Sequence, residues 1–584
     1  NFLTMAFFAS VMTFVVLLLA KVGVAVDAEF GYPAGVDVWC GKAYRPTNDS
    51  FKPGGWLSEP TLSSSPLLDL TIRPRMNIYL GSDDYASFIV DAPISYMHGE
   101  AYYNTSFNKQ TNETKSFTTL LIDISVDDTG LDLVSSANVS VNSTANEFVF
   151  SLAKLTPQFE PYNISIIGSS GDGNHSYVAT TQLYRLPDRS DGGSVVKIDS
   201  LYGGLLVQDF TTNSTEWTPF FPYTYYALWD EWVGKSVDTL NVFKSHGYNT
   251  IHIVPTGTLG DFDFSYENLT IYLQRAEELG LWIHWGMRGS FTNLTYVAEQ
   301  VGQVMSWKNM LSWYTADEPD GQVEPLNSTK LAYDYIKSVD PYHPISLVLN
   351  CENYYFEEYS SGADIILSDV YPISVNTSWS TVYDTACNTT YGCCGCDNCD
   401  GNFEDISERF DIFANYQEWL GLPQKPHWGA PQAFGNETFW SRYPTPGEEV
   451  VMNMLSVNHN AKGLVMWDYP TEPGIITITG ELSKVLVADL ASSFLLGNFT
   501  IGSLPVAGAK RVDASAWIVG SQMLVSVVNL EYASKQGVVT IELPAVATGV
   551  KSVLWGEGVW TVLGGMISIN GTYGLEVDLI LLDL

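Results

Sequence analysis

The feature that most constrains this chain is a repeated alternation of short apolar runs with amphipathic segments across its central region. Strand-like runs that alternate with helix-like segments form βαβ units, in which the strands are parallel. Eight such units predict a closed (β/α)8 barrel, or TIM barrel, over residues 199–497. The predicted strands are residues 220–228, 250–255, 281–287, 310–315, 345–350, 364–370, 426–430 and 463–467.

Helix-like segments separate these strands, and a last one follows the eighth strand and closes the barrel. An open doubly wound sheet is the alternative, but the chain carries no Gly-rich nucleotide fingerprint, which disfavours it. The predicted helices are residues 235–246, 266–279, 294–307, 331–339, 447–459 and 481–495.

Both flanks of the barrel region show short runs of alternating apolar and polar residues, which is typical of antiparallel β-structure. Residues 29–198 are predicted to form an N-terminal β-sandwich with a polar exit at 187–193, and residues 498–584 a C-terminal β-sandwich. The chain is therefore predicted to be multidomain, with a central barrel between two sandwiches.

Several features predict that the protein is exported. Residues 6–20 form an apolar run of signal-peptide length, so residues 1–28 are predicted as a signal peptide, with a signal-anchor helix as the alternative. Sixteen N-x-S/T sequons predict N-linked glycans on a secreted, extracellular or cell-wall-associated protein, without stable membrane insertion after cleavage. These sequons begin at Asn48, Asn104, Asn112, Asn138, Asn142, Asn163, Asn174, Asn213, Asn268, Asn293, Asn327, Asn376, Asn388, Asn436, Asn498 and Asn570.

The charge of the chain argues against nucleic acid and anionic membranes as partners. Lysine and arginine number 28 against 65 acidic residues, and the net charge of -37 repels nucleic acid and anionic membrane surfaces.

The seven cysteines agree with an oxidising compartment. Five of them crowd into residues 387–399, with Cys40 and Cys351 elsewhere. Disulfides are the favoured interpretation, and the odd number leaves one thiol free or paired elsewhere. Zinc binding through Cys396 and Cys399, which have ligand-like spacing, is the alternative.

Barrel enzymes place their working groups at the carboxyl ends of the strands. In this chain those positions are rich in carboxylates and aromatic rings, whereas the opposite rim carries Gly, Pro and Lys. Cleavage of a glycosidic bond needs two carboxyl groups, and aromatic rings provide platforms for sugars. The rim residues predicted to contact substrate are Asp317, Trp285, Arg288, Tyr371, Trp428, Gln432 and Trp467.

Glu318 is the leading catalytic candidate, because it follows the fourth predicted strand within the sequence WYTADEPDG. Neighbouring aromatic rings and the charges of Asp317 and Asp320 are expected to raise its pKa, so that it holds a proton. The alternative is that the motif is the start of a helix, with Asp317 as its N-cap and Pro319 in its first turn, since such a start has the same sequence pattern. No Gly-x-Ser-x-Gly elbow, phosphate loop or His-Glu-x-x-His pair competes with this interpretation.

Residues 218–495 resemble the clan of retaining (β/α)8 glycoside hydrolases whose fourth strand ends in Asn-Glu-Pro, matched here by Asp317-Glu318-Pro319. Residues 220–223 are also similar to the first barrel strand of these enzymes. The resemblance implies that Glu318 protonates the glycosidic oxygen and that Asp317 lies where the neighbouring Asn contacts the sugar 2-hydroxyl. It further implies a carbohydrate substrate.

The chain departs from the clan at strand 7, where a nucleophilic Glu is expected and Gln432 stands instead. Glu437 lies beyond that strand, inside a sequon. For any Asp at a strand end, the alternative is that its side chain only caps the following loop. The distance between the two catalytic carboxyl groups distinguishes retention of the anomeric configuration, at about 5 Å, from inversion, at roughly 6.5–9.5 Å. The candidates for the second carboxylate are Asp369, then Asp468, Glu352 and Glu472.

The sequence therefore predicts a secreted glycoside hydrolase that acts on a polysaccharide or oligosaccharide, with Glu318 as acid/base and no cofactor or metal. Gln432 keeps open a second hypothesis, a catalytically inactive glycan-binding or cell-wall-associated barrel protein. A barrel lyase or aldolase would need a lysine on a strand, whereas Lys425 precedes one.

Overall fold

The computed structural model describes residues 36–47, 54–108, 113–254 and 266–584. Eight parallel strands close into a barrel in the central region, which confirms the predicted fold class. All eight overlap the predicted runs. They are β1 (Tyr223–Leu228), β2 (Thr250–Val254), β3 (Trp282–Gly286), β4 (Met310–Asp317), β5 (Ile345–Leu349), β6 (Ile365–Ser368), β7 (His427–Gly429) and β8 (Leu464–Tyr469).

The helices surround this barrel, and they differ from the predictions in two respects. The helix predicted at 481–495 is two helices, because Ala488 between them adopts extended backbone geometry. Two helices in the second half of the barrel, Phe356–Ser360 and Glu404–Trp419, were not predicted. The remaining helices are Thr239–Ser245, Tyr266–Glu278, Leu294–Val304, Ser328–Val339, Pro446–Asn458, Pro473–Leu486 and Asp489–Gly497.

A three-stranded antiparallel sheet covers the amino end of the barrel. Its strands are Val196–Ile198, Leu205–Gln208 and Trp217–Phe220. Their apolar side chains share one core with barrel residues such as Trp282 and Leu311. The first predicted strand, 220–228, is therefore split, since its start belongs to this sheet. The opposite, carboxyl end of the barrel is left for a site.

A β-sandwich flanks the barrel on each side, and each has its own apolar core. In the N-terminal one, a sheet of Leu131–Ser140, Thr119–Val126, Tyr162–Ser170 and Ser176–Leu183 accompanies a sheet of Ser143–Ser151, Tyr85–Ala92 and Thr71–Pro74. In the C-terminal one, the strands Val512–Val519, Gln522–Asn529, Val577–Asp583 and Gly549–Trp555 accompany Val506–Ala507, Lys535–Glu542, Met566–Thr572 and Thr561–Val562.

Residues 36–47 contact the barrel rather than the N-terminal sandwich. They form a small hairpin, Val38–Trp39 with Lys42–Ala43, and the Cys40–Cys351 disulfide joins it to the residues that follow β5. Cys387–Cys394 and Cys396–Cys399 are also disulfides, while Cys393 is a buried free thiol. The prediction of disulfides with one cysteine left over is confirmed, and zinc binding by Cys396 and Cys399 is wrong because their sulfurs are bonded.

The predicted signal peptide lies outside the described residues. Within those that are described, no helix combines the length and the apolar character needed to cross a bilayer. Side chains are described for thirteen of the sequon asparagines, and twelve of these are exposed. Asn498 is partly buried and donates to the carbonyl of Ile518. Glycosylation therefore stays a prediction, compatible with the exposure of these residues.

Candidate active site

Glu318 lies at the carboxyl end of the barrel, one residue after β4. Its φ of 50° is left-handed, which is unusual for a residue with a side chain and costs of order 1 kcal/mol. The chain then makes a turn, and the next helix begins only at Ser328. The alternative explanation of this motif as a helix start is therefore wrong. Backbone strain of this kind clusters at functional sites.

Asp369 follows β6 and reaches Glu318 across the barrel mouth. Its side chain is buried, at 5% exposure, whereas Glu318 remains partly exposed. The two carboxyl groups lie close enough for each to act on the pKa of the other, and Tyr371 also acts on the pKa of Asp369. Asp369 Oδ1 is buried and has no hydrogen-bond partner among the described residues. The structure thus brings together the first two catalytic candidates.

The pKa values of this pair are raised. Withdrawal from water raises the pKa of Glu318 well above its usual range, and the charges of Asp369, Asp317 and Asp320 add to the effect. This confirms the predicted direction. Burial likewise raises the pKa of Asp369, and the charge of Asp317 adds to that effect. Raised pKa values in both groups favour a protonated carboxyl at this position.

Asp317 is bound by protein donors at both carboxylate oxygens. Tyr314 donates its hydroxyl to Oδ1 across 2.6 Å, and Arg288 donates Nε to Oδ2 across 2.8 Å. Tyr226 in turn donates to the Tyr314 hydroxyl across 3.1 Å. The charge of Asp317 is one of the causes that raise the pKa of Glu318. Its contact with a sugar 2-hydroxyl stays a prediction.

Arg288 and Trp467 form one wall of the site. The Arg288 guanidinium lies over the Trp467 ring, 4.9 Å from its centroid, and both side chains are partly exposed. Arg288 has a φ of 47°, so the ends of β3 and β4 both turn through left-handed residues. A partly exposed indole next to the carboxyl pair can stack on a sugar ring.

Asp468 lies near Arg288 but belongs to a different group of carboxylates. Burial raises its pKa to about 7, helped by the charges of Glu437 and Glu231, while Arg288 opposes the shift. Glu472 is exposed, and Glu352 accepts a hydrogen bond from Asn398 in the cysteine-rich segment. Among the four candidates for the second carboxylate, Asp369 is the one named among the charges that raise the pKa of Glu318.

Three residues predicted to contact substrate are fully buried, so that expectation is corrected. Trp285 packs in the main core and donates to Gln300, while Trp428 lies in the core shared with the amino-end sheet. The Gln432 side chain accepts a hydrogen bond from the Ile373 N–H and donates to the carbonyls of Ile373 and Phe434. Composition at a strand end cannot distinguish a side chain packed inside from one that faces the cleft.

Two residues near Glu318 were not predicted. Asn350 donates Nδ2 to Glu318 Oε1 across 2.7 Å, and Trp39 donates its indole N–H to Asn350 Oδ1 across 2.9 Å. Asn350 is the last residue of the predicted fifth strand, and this position at a strand end is a signal that could have identified it. No local pattern marks Trp39, because its partner lies 311 positions away.

Asp320 anchors this part of the site. Its buried carboxyl accepts the main-chain N–H groups of Gly321, Asn350 and Cys351. Burial raises its pKa to about 7, although these hydrogen bonds oppose the shift. The turn after Glu318 is thereby joined to the end of β5.

Two buried histidines lie on the strands of the barrel. Ser346 Oγ donates to the Trp313 carbonyl, so it accepts from His284 Nε2 at 2.8 Å. His284 Nδ1 must then accept from His252 Nδ1, also at 2.8 Å. Burial lowers the pKa of His284 to about 3 and that of His252 well below its usual value. Both are neutral, hydrogen-bonded wall residues.

No family model matches the sequence, and no curated protein matches it. Solved structures of glycoside hydrolases are similar to parts of the chain. The maltogenic α-amylase AmyB from Thermotoga neapolitana has a TM-score of 0.40 at 14% identity, covering 62% of this chain and 99% of that one. The debranching enzyme from Nostoc punctiforme has a TM-score of 0.39 at 11% identity, covering 62% and 98%.

An FMN-binding β-glucuronidase from Facaelibacterium prausnitzii has a TM-score of 0.32 at 12% identity. The similarity covers 82% of this chain and 71% of that one. At these TM-scores and identities, none of the similarities decides an activity or a substrate for this chain.

Proposed function

We propose that the protein hydrolyses a glycosidic bond of an oligosaccharide or polysaccharide, with Glu318 and Asp369 as its two carboxyl groups. The observation that carries the proposal is a pair of neighbouring carboxyl groups, both with a raised pKa, at the carboxyl end of a (β/α)8 barrel. Glycoside hydrolysis requires one carboxyl group that donates a proton and a second that acts on the anomeric carbon or on water.

Glu318 is the proton donor in this proposal. Asn350 donates to its Oε1, so the proton of the neutral acid belongs on Oε2. In the first step this proton passes to the glycosidic oxygen as the bond to the anomeric carbon breaks. Glu318, now ionised, then accepts a proton from the water that completes hydrolysis.

Asp369 is the nucleophile in this proposal. The mutual effect of Asp369 and Glu318 on their pKa values places the two carboxyl groups near each other. A close pair suits retention, whereas inversion needs room for a water molecule between the carboxyl groups. In retention the Asp369 carboxylate bonds the anomeric carbon, and water later releases the sugar.

The substrate contacts proposed for this site are those that the cleft exposes. Trp467 offers a partly exposed ring, and Arg288 offers the guanidinium nitrogens beyond its Nε bond to Asp317. Tyr371 is buried, at 5% exposure, and acts on the pKa of Asp369, so we propose that it supports that carboxyl group instead of contacting the sugar. We also propose that the protein acts outside the cell, which the three disulfides support.

A glycan-binding protein without hydrolytic activity is the second candidate function. It is favoured by Gln432, which follows β7, where the clan carries its nucleophile, and which is buried in contacts with the protein.

The deciding experiment compares wild type with Glu318→Gln and Asp369→Asn on a panel of aryl glycosides and polysaccharides. Glu472→Gln, which removes an exposed carboxylate of the same rim, is the matched control. We expect turnover in wild type and the control, and a loss of about 10²-fold or more in the other two. Equal or absent turnover in wild type and Glu318→Gln contradicts the proposal, and saturable glycan binding without turnover supports the second candidate.

A further inference from the structure

Trp39 reaches the proposed proton donor from outside the barrel. Its indole Nε1 donates to Asn350 Oδ1 across 2.9 Å, and Asn350 Nδ2 donates to Glu318 Oε1 across 2.7 Å. We infer that Trp39 is a positioning residue for Glu318, because it orients the Asn350 amide with its NH2 group toward the carboxyl. The inference rests on the proposed role of Glu318.

The chemistry of the two side chains makes this orientation unique. A carboxamide has nearly the same shape when it is turned over, so packing alone selects neither orientation. An indole N–H, in contrast, can only donate a hydrogen bond. The Asn350 atom that faces Trp39 must therefore be the oxygen, and the atom that faces Glu318 must be the nitrogen.

The covalent structure holds the two side chains together. Trp39 precedes Cys40 and Asn350 precedes Cys351, and the disulfide between these cysteines brings their Cα atoms to 5.4 Å. The Trp39 ring also covers Gly321, where an added Cβ would lie 2.5 Å from the ring. The hairpin that carries Trp39 is thus fixed by a bond on one side and by packing on the other.

The orientation of the amide decides where the proton of Glu318 lies. With NH2 on Oε1, the proton is confined to Oε2, which remains free to interact with Asp369 or a leaving oxygen. If the amide turned over, its oxygen would accept that proton instead. A hydrogen bond to the neutral acid raises its pKa and competes with donation to substrate. Loss of the Trp39 N–H should therefore slow proton transfer and shift its pH dependence upward.

The test is the Trp39→Phe variant, which keeps a ring over Gly321 but removes the N–H. Trp39→His returns a ring N–H at a similar reach from Cβ and serves as the rescue. Trp560→Phe is the matched control, since Trp560 Nε1 donates to the buried carboxyl of Asp578 in the C-terminal sandwich. The first readout is the pH dependence of kcat and KM on a substrate that the panel identifies. The second is the pH dependence of carbodiimide labelling at Glu318, measured by peptide mass spectrometry, which needs no turnover.

We expect Trp39→Phe to raise the labelling midpoint of Glu318, and the alkaline limb of kcat, by about 0.5–1 pH unit. Its kcat should fall about tenfold with little change in KM, and Trp39→His should lie close to wild type. An unchanged midpoint in Trp39→Phe overturns the inference, and so does a Trp39→His variant that behaves like Trp39→Phe. Failure of both variants to fold would make Trp39 a folding element and also overturn it. If wild type and Glu318→Gln are equally inactive, the proposed function fails, whereas labelling still decides the role of Trp39.

Discussion

Arg288 donates Nε to Asp317 Oδ2 across 2.8 Å, which joins the end of β3 to the residue that precedes Glu318. The charge of Asp317 is one of the causes that raise the pKa of Glu318. The contact therefore connects the end of β3 to the carboxyl group that we propose as the acid.

Asp317→Asn should lower the alkaline limit of activity. The substitution removes a negative charge that favours protonated Glu318, so the pKa of Glu318 falls and the acid form is lost at lower pH. We expect the alkaline limb of kcat/KM to move down by about one pH unit. Glu472→Gln on the same rim should leave the profile in place, and an upward shift in Asp317→Asn would contradict this account.

Trp467→Ala should weaken substrate binding more than it slows the chemical step. The ring is partly exposed beside Arg288 and touches neither Glu318 nor Asp369 by hydrogen bonding. Loss of ring stacking is worth about 1 kcal/mol, or roughly a fivefold rise in KM. Trp379→Ala, which removes a 44% exposed indole elsewhere, is the control. A fall in kcat with unchanged KM would instead place Trp467 in the chemical step.

Removal of the Cys40–Cys351 disulfide in the Cys40→Ser/Cys351→Ser variant should cost both stability and activity. The bond closes a loop between residues 311 positions apart, and the chain-entropy relation gives roughly 5–6 kcal/mol for a loop of this size. The double variant Cys396→Ser/Cys399→Ser, which opens a loop with a separation of 3, should lose much less. Denaturant unfolding measures the stability of both double variants. If the two variants lose the same stability, the length of the 40–351 loop is not the cause.

His459 should make the contact between the barrel and the C-terminal sandwich depend on pH. Its ring lies 2.8 Å from Asp411 and 3.2 Å from Asp513, a residue of the strand Val512–Val519. Burial lowers the pKa of His459, but the bonds to Asp411 and Asp513 outweigh it and raise the value to about 9.

Because the folded-state pKa is raised, the stabilisation is complete below pH 6.5 and disappears as the pH rises toward 9. His459→Gln should therefore flatten the fall in the free energy of unfolding between pH 6.5 and 9. His175→Gln, in the N-terminal sandwich, is the control. If the free energy of unfolding of His459→Gln falls between pH 6.5 and 9 as much as that of wild type, His459 is not the cause of the fall.

Much of the site followed from the position of residues along the chain. Glu318 and Asp369 were predicted as an acid and its partner because each follows a barrel strand, and in the structure each acts on the pKa of the other. The same reasoning failed for Trp285, Trp428 and Gln432, since it selects residues by strand position and does not determine which side chains are buried. Asp468 was ranked close to Asp369 for the same reason.

By itself, the sequence determined the eight barrel strands, the β-structure on both flanks and the carboxyl rim that carries Glu318. These properties depend on local periodicity, which is set by residues close together in the chain. Only the tertiary structure decided that Asp369 lies near Glu318 and that Trp39 and Asn350 form a chain of hydrogen bonds to it. Those relations join residues distant in sequence, and closure of the barrel together with the Cys40–Cys351 bond creates them.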